Sequence, residues 1–237
     1  MDALTFGRLR GFDRIDQALL VLSIASSVAY MATRGLHPFQ GSVVLKALGM
    51  APLAVLAFRV LGRVGSRDRA LLTSALALSC AGDVFLALGF RRYFVHGLAA
   101  FLLAHVAYIV LFTRNWARPL RPSAGQMVLV ALVLAYFALA CAWLWPGVGG
   151  LKIPALAYAM AVTAMTVAAI LAGFSRPFVW IGALLFLFSD SLIATGFFKM
   201  PLSRAAALIW PTYYLGQYGI AIGLLRERAA DDRTPAR

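Results

Sequence analysis

Long, uninterrupted apolar runs are the feature of this sequence that most constrains its fold. A transmembrane α-helix needs about 20 apolar residues, and eight runs of that order occur at 15–33, 43–61, 70–88, 95–112, 125–145, 154–173, 177–197 and 205–225. A membrane barrel would instead alternate apolar and polar residues over about 10 positions. In lipid, backbone polar groups must bond within a helix or a closed barrel. The runs therefore predict an all-α, polytopic transmembrane bundle of about eight helices.

The composition indicates lipid rather than water as the solvent of this chain. Of its 237 residues, 62% are hydrophobic and 13% are charged, and the mean hydropathy is +0.83. Soluble domains contain about 25% charged residues. We expect residues 1–237 to form one integral membrane domain with short tails at about 1–14 and 226–237, and a disordered polar segment from Glu227 to Arg237. Cys80 and Cys141 both lie in apolar runs and predict no disulfide framework.

Of the 22 basic residues, Lys46 lies inside a span and the other 21 fall unevenly on the two sides that eight spans define. One side has Arg8, Arg10, Arg14, Arg59, Arg63, Arg67, Arg69, Arg114, Arg118, Arg121, Arg176, Arg226, Arg228, Arg233 and Arg237; the other has Arg34, Arg91, Arg92, Lys152, Lys199 and Arg204. The positive-inside rule then places both termini in the cytoplasm, with the cell's inner membrane as the location. The net charge of +13 forms no basic stripe with aromatic platforms, which excludes nucleic acid as a partner.

A short motif recurs in spans three and seven. Residues 83–90 and 190–197 both fit D-x-(F/L)-(L/I)-A-x-G-F, and Leu45-Lys46 is weakly echoed by Leu151-Lys152. The offset corresponds to four spans, so an internal repeat would be a parallel 4+4 arrangement. Chance matching of apolar sequence is the competing explanation.

Asp83 and Asp190 are the two acidic residues that lie well inside apolar spans. A carboxylate at membrane depth costs several kcal/mol and marks a functional site by default. Both lie at similar depth, so the two carboxyls face each other if spans three and seven are neighbours. Such a pair would share a proton, giving an acid beside a charged base. A purely structural hydrogen bond and proton or ion translocation are the alternatives.

Other polar side chains lie at membrane depth near these two aspartates. Lys46 pairs with a carboxylate, binds a lipid phosphate or extends to the interface. Ser79 lies one turn from Asp83 and is placed to donate a hydrogen bond to it. His105 and Tyr108 on span four, and Tyr213, Tyr214 and Gln217 on span eight, either line a polar cavity or make helix–helix contacts. No ligand spacing predicts a metal site, and no cofactor is expected.

The order and spacing of these residues resemble the YhhN family of membrane proteins over nearly the whole chain. The resemblance is carried by Lys46, residues 79–86, 97–101, His105, Tyr108, Gly182, Ala183, Phe186, Ser189, Asp190, Tyr213 or Tyr214, and Gln217. It implies hydrolysis of the vinyl ether bond of lysoplasmalogens to a fatty aldehyde and glycerophosphoethanolamine or glycerophosphocholine. It also implies that Asp83 and Asp190 are catalytic, with a lysophospholipid substrate and membrane lipids as partners. A homo-oligomer is left open.

The chemistry of a vinyl ether fits a pair of carboxyl groups. Hydrolysis protonates the β-carbon, gives an oxocarbenium ion and then adds water, so it needs an acid, a negative charge and a base. We expect Asp83 and Asp190 to share the proton, His105 and the tyrosines to shape the cavity, and Lys46 to hold the phosphate. A small proton-coupled carrier of a lipid-like solute is the alternative from another class, and a structural membrane protein is a third. An intramembrane aspartyl protease would need a GxGD motif, whose first glycine is missing in residues 80–83.

Overall fold

The computed structural model describes residues 12–36, 40–64, 66–202 and 205–231 as an α-helical, multi-pass membrane bundle. Within these ranges it contains eight α-helices and four short 3-10 turns. The helices are α1 (Arg14–Ala32), α2 (Gln40–Arg63), α3 (Arg69–Leu88), α4 (Phe90–Thr113), α5 (Ala124–Leu144), α6 (Lys152–Leu171), α7 (Phe178–Phe198) and α8 (Ile209–Asp231). The eight predicted spans are therefore confirmed as helices. Among the described residues, α1 to α7 are long and apolar enough to cross a membrane, whereas α8 is more polar.

Helices α4 and α8 extend beyond the apolar runs that the sequence predicted. Helix α4 begins at Phe90, so Arg91 and Arg92 lie in its first turn. Helix α8 continues to Asp231, where the sequence predicted a disordered segment from Glu227. The Glu227 carboxylate accepts hydrogen bonds from the backbone N–H and the hydroxyl of Ser175, at 2.7 and 2.9 Å. The predicted tails 1–11 and 232–237 lie outside the described residues.

The two aspartate-bearing helices, α3 and α7, pack mainly against other helices and not against each other. Helix α3 packs mainly against α2 and α4, and α7 packs mainly against α8 and α6. Helix α8 also contacts α2, and α4 contacts α6, which closes the bundle. Helix α5 is peripheral: it packs mostly on α6, and of its side chains only Val133 is buried. The 4+4 repeat stays a prediction, although α3 pairs with α4 as α7 pairs with α8.

Glycines permit the close approach within these two helix pairs. A Cβ atom at Gly82 on α3 would come within 2.6 Å of the Phe101 ring on α4. A Cβ atom at Gly182 on α7 would come within 2.6 Å of the Gly216 carbonyl oxygen on α8, and one at Gly216 within 2.8 Å of the Gly182 carbonyl oxygen. Small residues are how transmembrane helices reach such separations. Helices α7 and α8 are thus in direct backbone contact, whereas on α3 the glycine leaves room for the Phe101 ring of α4.

Ion pairs hold α1 against α2 at the end of the bundle where the described chain starts and finishes, here called the terminal end. Asp16 on α1 is fully buried and binds Arg59 Nε at 3.0 Å as well as the Arg63 guanidinium. Asp13 caps α1 in a reciprocal arrangement with Asp16 and also pairs with both arginines. The backbone N–H of Asp16, followed by the two guanidinium groups, holds the pKa of Asp13 below its ordinary value.

A second network joins α3, α4 and α8 at the same end. Asp68, fully buried just before α3, accepts from Arg228 Nε at 2.8 Å and from the Asn115 side-chain amide at 3.4 Å. Arg228 also donates to the Asn115 side-chain oxygen. These contacts explain why α8 remains helical past its apolar part. The two intramembrane aspartates lie nearer the opposite end of the bundle, where α3 ends and α4 begins.

Candidate active site

Asp83 lies in a compact polar cluster between α2, α3 and α8. Its carboxyl group is 3% exposed, accepts a hydrogen bond from the Tyr213 hydroxyl at 2.6 Å and pairs with Lys46 Nζ at 3.4 Å. The Lys46 ammonium also lies over the rings of Tyr30 and Trp210, at 5.5 and 5.2 Å from their centroids. Of the alternatives for Lys46, the structure favours pairing with a carboxylate, because the ammonium is directed inward among these groups.

Ser79, Tyr108 and Gln217 form a separate buried chain of hydrogen bonds one turn deeper than Asp83. Tyr108 donates to the Gln217 side-chain oxygen at 2.6 Å, and the Gln217 amide donates to the Ser79 hydroxyl at 2.9 Å. The expected bond from Ser79 to Asp83 is not among the contacts of the described residues. The Ser79 hydroxyl instead accepts from Gln217 on α8, because a buried amide needs partners for both of its ends. These three residues therefore connect α3, α4 and α8 below the aspartate.

Asp190 on α7 has a different set of neighbours. Its Oδ2 accepts a hydrogen bond from the Tyr158 hydroxyl on α6 at 2.7 Å. The same oxygen lies 3.8 Å from Nε2 of His105 on α4, which is too far for a direct hydrogen bond. His105 is fully buried, and among the described residues neither of its ring nitrogens has a hydrogen-bond partner. The site thus contains a carboxyl group, a phenol and an unsatisfied imidazole.

No direct hydrogen bond joins the two aspartates in the described structure, and aromatic rings contact the polar partners of both. The Phe186 ring lies 5.2 Å from the Tyr213 ring on the Asp83 side and 4.9 Å from the His105 ring on the Asp190 side. Phe101 contacts both Phe186 and Tyr213 edge to face. The expected pair of facing carboxyls depended on α3 and α7 being neighbours. Because these two helices pack mainly against others, each aspartate has its own polar partners.

Two residues that the sequence placed at the site bind elsewhere. The Ser189 hydroxyl donates to the Ile209 carbonyl oxygen at 2.9 Å, which fixes α7 to the start of α8. The Tyr214 hydroxyl is 2.8 Å from the Ser23 hydroxyl, and Ser23 donates to the Gly49 carbonyl. Tyr214 therefore joins α8 to α1 and α2, on the side of α8 away from Asp190. Both side chains make helix–helix contacts, which for Tyr214 is the alternative that the sequence left open.

Tyr158 is a site residue that sequence reasoning missed. It lies six residues from the start of α6, and Asp190 lies eight residues before the end of α7. A short connection makes α6 and α7 antiparallel neighbours, so these positions fall at nearly equal depth. This match in depth is the feature of the sequence that could have identified Tyr158 as a neighbour of Asp190. Within the described ranges, no three His, Cys, Asp or Glu side chains converge as metal ligands.

Asp190 also borders a cavity between α4, α5, α6 and α7. The cavity measures about 130 Å³, and Tyr158 lies beside Asp190 in its wall. Asp83 is not among the side chains that line it. Asp190 is therefore the aspartate that a bound apolar molecule would meet first.

Comparisons with known proteins agree with this architecture. The YhhN family model matches residues 41–224. A protein named lysoplasmalogenase from Mycobacterium bovis is 36% identical over 203 residues, covering 83% of this chain and 76% of that protein, and one from Mycobacterium tuberculosis gives the same values. Lysoplasmalogenase TMEM86B from Homo sapiens is 36% identical over 157 residues, covering 66% of this chain and 64% of that protein. No solved structure matches the chain.

Proposed function

Because this chain belongs to the YhhN family, we propose that it is a membrane hydrolase that cleaves the vinyl ether bond of lysoplasmalogens. The observation that carries the proposal is Asp190, whose partly buried side chain is 9% exposed and accepts a hydrogen bond from Tyr158 at the edge of an apolar cavity within the membrane. Relatives named lysoplasmalogenases support the same reaction. The substrate would be a lysophospholipid with one alkenyl chain.

The reaction needs only proton transfers and one water molecule. A proton adds to the β-carbon of the vinyl ether, which leaves an oxocarbenium ion at the carbon bonded to oxygen. Water adds to that carbon and loses a proton, giving a hemiacetal. The hemiacetal collapses to a fatty aldehyde and the free hydroxyl of the glycerophospho-base. One water is consumed, no electrons are exchanged, and the catalyst regains the proton that it gave.

Asp190 is the residue that we assign to the proton transfer. It borders the cavity, and Tyr158 binds only one of its oxygens, which leaves the other oxygen for a ligand. After giving its proton, the Asp190 carboxylate would stabilise the neighbouring oxocarbenium ion in a site where little water screens the charge. The same carboxylate would then accept the proton that water loses.

His105 is placed to hold the water that the reaction consumes. Its Nε2 lies 3.8 Å from Asp190 Oδ2, beyond a direct hydrogen bond, and a water that binds both groups requires the two side chains to move slightly apart. The imidazole is fully buried between Tyr158 and Phe186, and its unsatisfied nitrogens need a polar partner. A water bound there would lie beside the carboxyl group that must accept its proton.

In this proposal Asp83 supports the site indirectly, through Tyr213, whose ring contacts Phe186 and Phe101. Its ion pair with Lys46 and its hydrogen bond from Tyr213 fix a charged cluster next to Phe186 and Phe101. We therefore assign Asp83 to orienting Tyr213 and to providing a fixed negative charge. Lys46 is paired with Asp83 in this cluster, so we do not assign it to the substrate phosphate.

The orientation in the membrane is part of the proposal. The excess of arginines at the terminal end favours a cytoplasmic location for both chain termini, in the inner membrane of the cell. Asp83 and Asp190 would then lie in the half of the bilayer farther from the cytoplasm. Attachment of an impermeant reagent to a cysteine added at either terminus, in closed membrane vesicles of known orientation, would test this.

Aldehyde release by the purified protein tests the proposed function. The substrate is an alkenyl lysophosphoethanolamine, and its saturated alkyl-ether analogue is the control because it has no double bond to protonate. Aldehyde from the alkenyl lipid alone supports the hydrolase. Substrate-dependent proton flux in liposomes without aldehyde release would contradict it and favour the proton-coupled carrier.

A further inference from the structure

The cavity between α4, α5, α6 and α7 is lined almost entirely by apolar side chains. Its polar exceptions are few: Tyr136, Tyr158, Thr163, Asp190 and Ser191. Along α7 the lining extends from Leu187 to Phe198, which is about 16 Å at the ~1.5 Å rise of an α-helix. The cavity is therefore elongated along the membrane normal and has one carboxyl group in its wall.

One wall of this cavity is a single, loosely held helix. Helix α5 contributes Tyr136, Phe137, Ala140, Cys141 and Leu144 to the lining, yet it packs mainly on α6. The opposite face of α5 is directed away from the protein, since the Leu139 side chain is 71% exposed. In a membrane, that face contacts lipid. Only α5 therefore separates the cavity from the hydrocarbon of the bilayer on this side.

We propose that this cavity is the binding site for the single hydrocarbon chain of the lipid substrate, which enters laterally past α5. The inference rests on the proposed function and adds to it the place and chemical class of the bound group. A polar head group would lose its hydration in the cavity without gaining hydrogen bonds, which costs several kcal/mol. A hydrocarbon chain loses nothing by leaving the bilayer for an apolar wall. A chain bound here presents the carbons next to its ether oxygen to Asp190.

The first test fills the cavity and measures binding, so that it does not depend on hydrolysis. Ala159 on α6 lines the cavity one residue after Tyr158, and its neighbour Met160 is 50% exposed toward lipid. We expect Ala159→Trp to weaken binding of a radiolabelled, uncleavable alkyl-ether lysophospholipid at least tenfold. Met160→Trp adds the same indole on the lipid side and should change binding less than twofold. Equal binding by the two variants would overturn the proposal.

The second test uses Cys141, which lines the cavity, as a native reporter. Purified protein is treated with N-ethylmaleimide, with and without the alkyl-ether lipid, and modification at this position is followed by peptide mass spectrometry. We expect the lipid to slow modification of Cys141 at least fivefold. In a Leu139→Cys variant, the lipid-facing cysteine on the same helix should change less than twofold. Equal protection at both positions, or none at Cys141, would contradict the proposal.

The two tests separate this inference from the proposed function. If Ala159→Trp fails to fold, protection of Cys141 decides; if Cys141 resists modification, the binding comparison decides. Weakened binding by Ala159→Trp and protection of Cys141, without aldehyde release, would support the lipid site and contradict the hydrolase. Aldehyde release from the alkenyl lipid, with unchanged lipid binding by Ala159→Trp, would support the hydrolase and contradict the proposed site for the hydrocarbon chain.

Discussion

Replacement of Asp190 by asparagine isolates the proton transfer from the structure around it. Asparagine has nearly the same shape, and its side-chain oxygen can still accept the Tyr158 hydrogen bond, which is 2.7 Å long in this structure. The amide cannot deliver a proton to carbon. General acid catalysis contributes about 10²–10⁴ to a rate, which at about 1.4 kcal/mol per factor of ten raises the barrier by about 3–5 kcal/mol. We expect kcat to fall by that factor with KM nearly unchanged.

The assay measures initial rates of aldehyde release over a range of alkenyl lysophospholipid concentrations. Asp83→Asn is the matched comparison: it removes the carboxylate that accepts the Tyr213 hydrogen bond and should reduce kcat less than Asp190→Asn does. Thermal unfolding of each variant shows whether the bundle is intact. An Asp190→Asn protein that folds normally and keeps kcat within threefold of the unaltered protein would refute the assignment. Equal losses in the two variants would refute the division of roles.

Three further changes test the water site and the packing. His105→Phe keeps the contacts with the neighbouring rings but removes both ring nitrogens. We expect kcat to fall about tenfold at similar KM, because ordering a water is worth up to about 2 kcal/mol. An unchanged kcat would exclude the water site. Gly216→Ala places a Cβ atom 2.8 Å from the α7 backbone and should lower the free energy of unfolding by about 1–3 kcal/mol. The control is Gly196→Ala, whose added Cβ atom lies 3.8 Å from its nearest neighbour and should leave the free energy of unfolding unchanged. Asp68→Asn deprives Arg228 of its 2.6 Å ion pair and should cost about 3 kcal/mol of stability, measured by thermal unfolding, and an unchanged unfolding temperature would contradict a structural role for this network.

The helical architecture was predictable because the bilayer imposes it. Continuous apolar runs in a chain with few charges allow little except spanning helices, and each predicted run became a helix. The least predictable ends were those where polar contacts replace apolar length as the stabilising factor. Helix α8 extends to Asp231 because Ser175 and Asp68 bind Glu227 and Arg228 from other elements. Such long-range partners leave no trace in local hydropathy.

The site was predictable by residue type and only partly by arrangement. Asp83 and Asp190 are conspicuous because a carboxyl group is costly at membrane depth. Which side chains bind them depends on helix neighbours, and sequence periodicity does not determine neighbours in a bundle. Packing of α2 and α8 beside α3 gives Asp83 the partners Lys46 and Tyr213, and packing of α6 on α7 gives Asp190 the partner Tyr158. A direct carboxyl pair was the simplest arrangement and not the one adopted.

Isotope labelling of the products tests the central claim, acid-catalysed hydrolysis of a vinyl ether, most directly. The purified protein is given the alkenyl lysophospholipid in deuterium oxide, the aldehyde is reduced at once to the alcohol, and mass spectrometry counts its deuterium; authentic aldehyde incubated with the protein controls for exchange. Protonation of the β-carbon from the solvent predicts one deuterium next to the former carbonyl carbon, and none in product formed in ordinary water. Aldehyde released in deuterium oxide without this deuterium would show that the β-carbon is not protonated from an exchangeable group such as Asp190, and would contradict the mechanism.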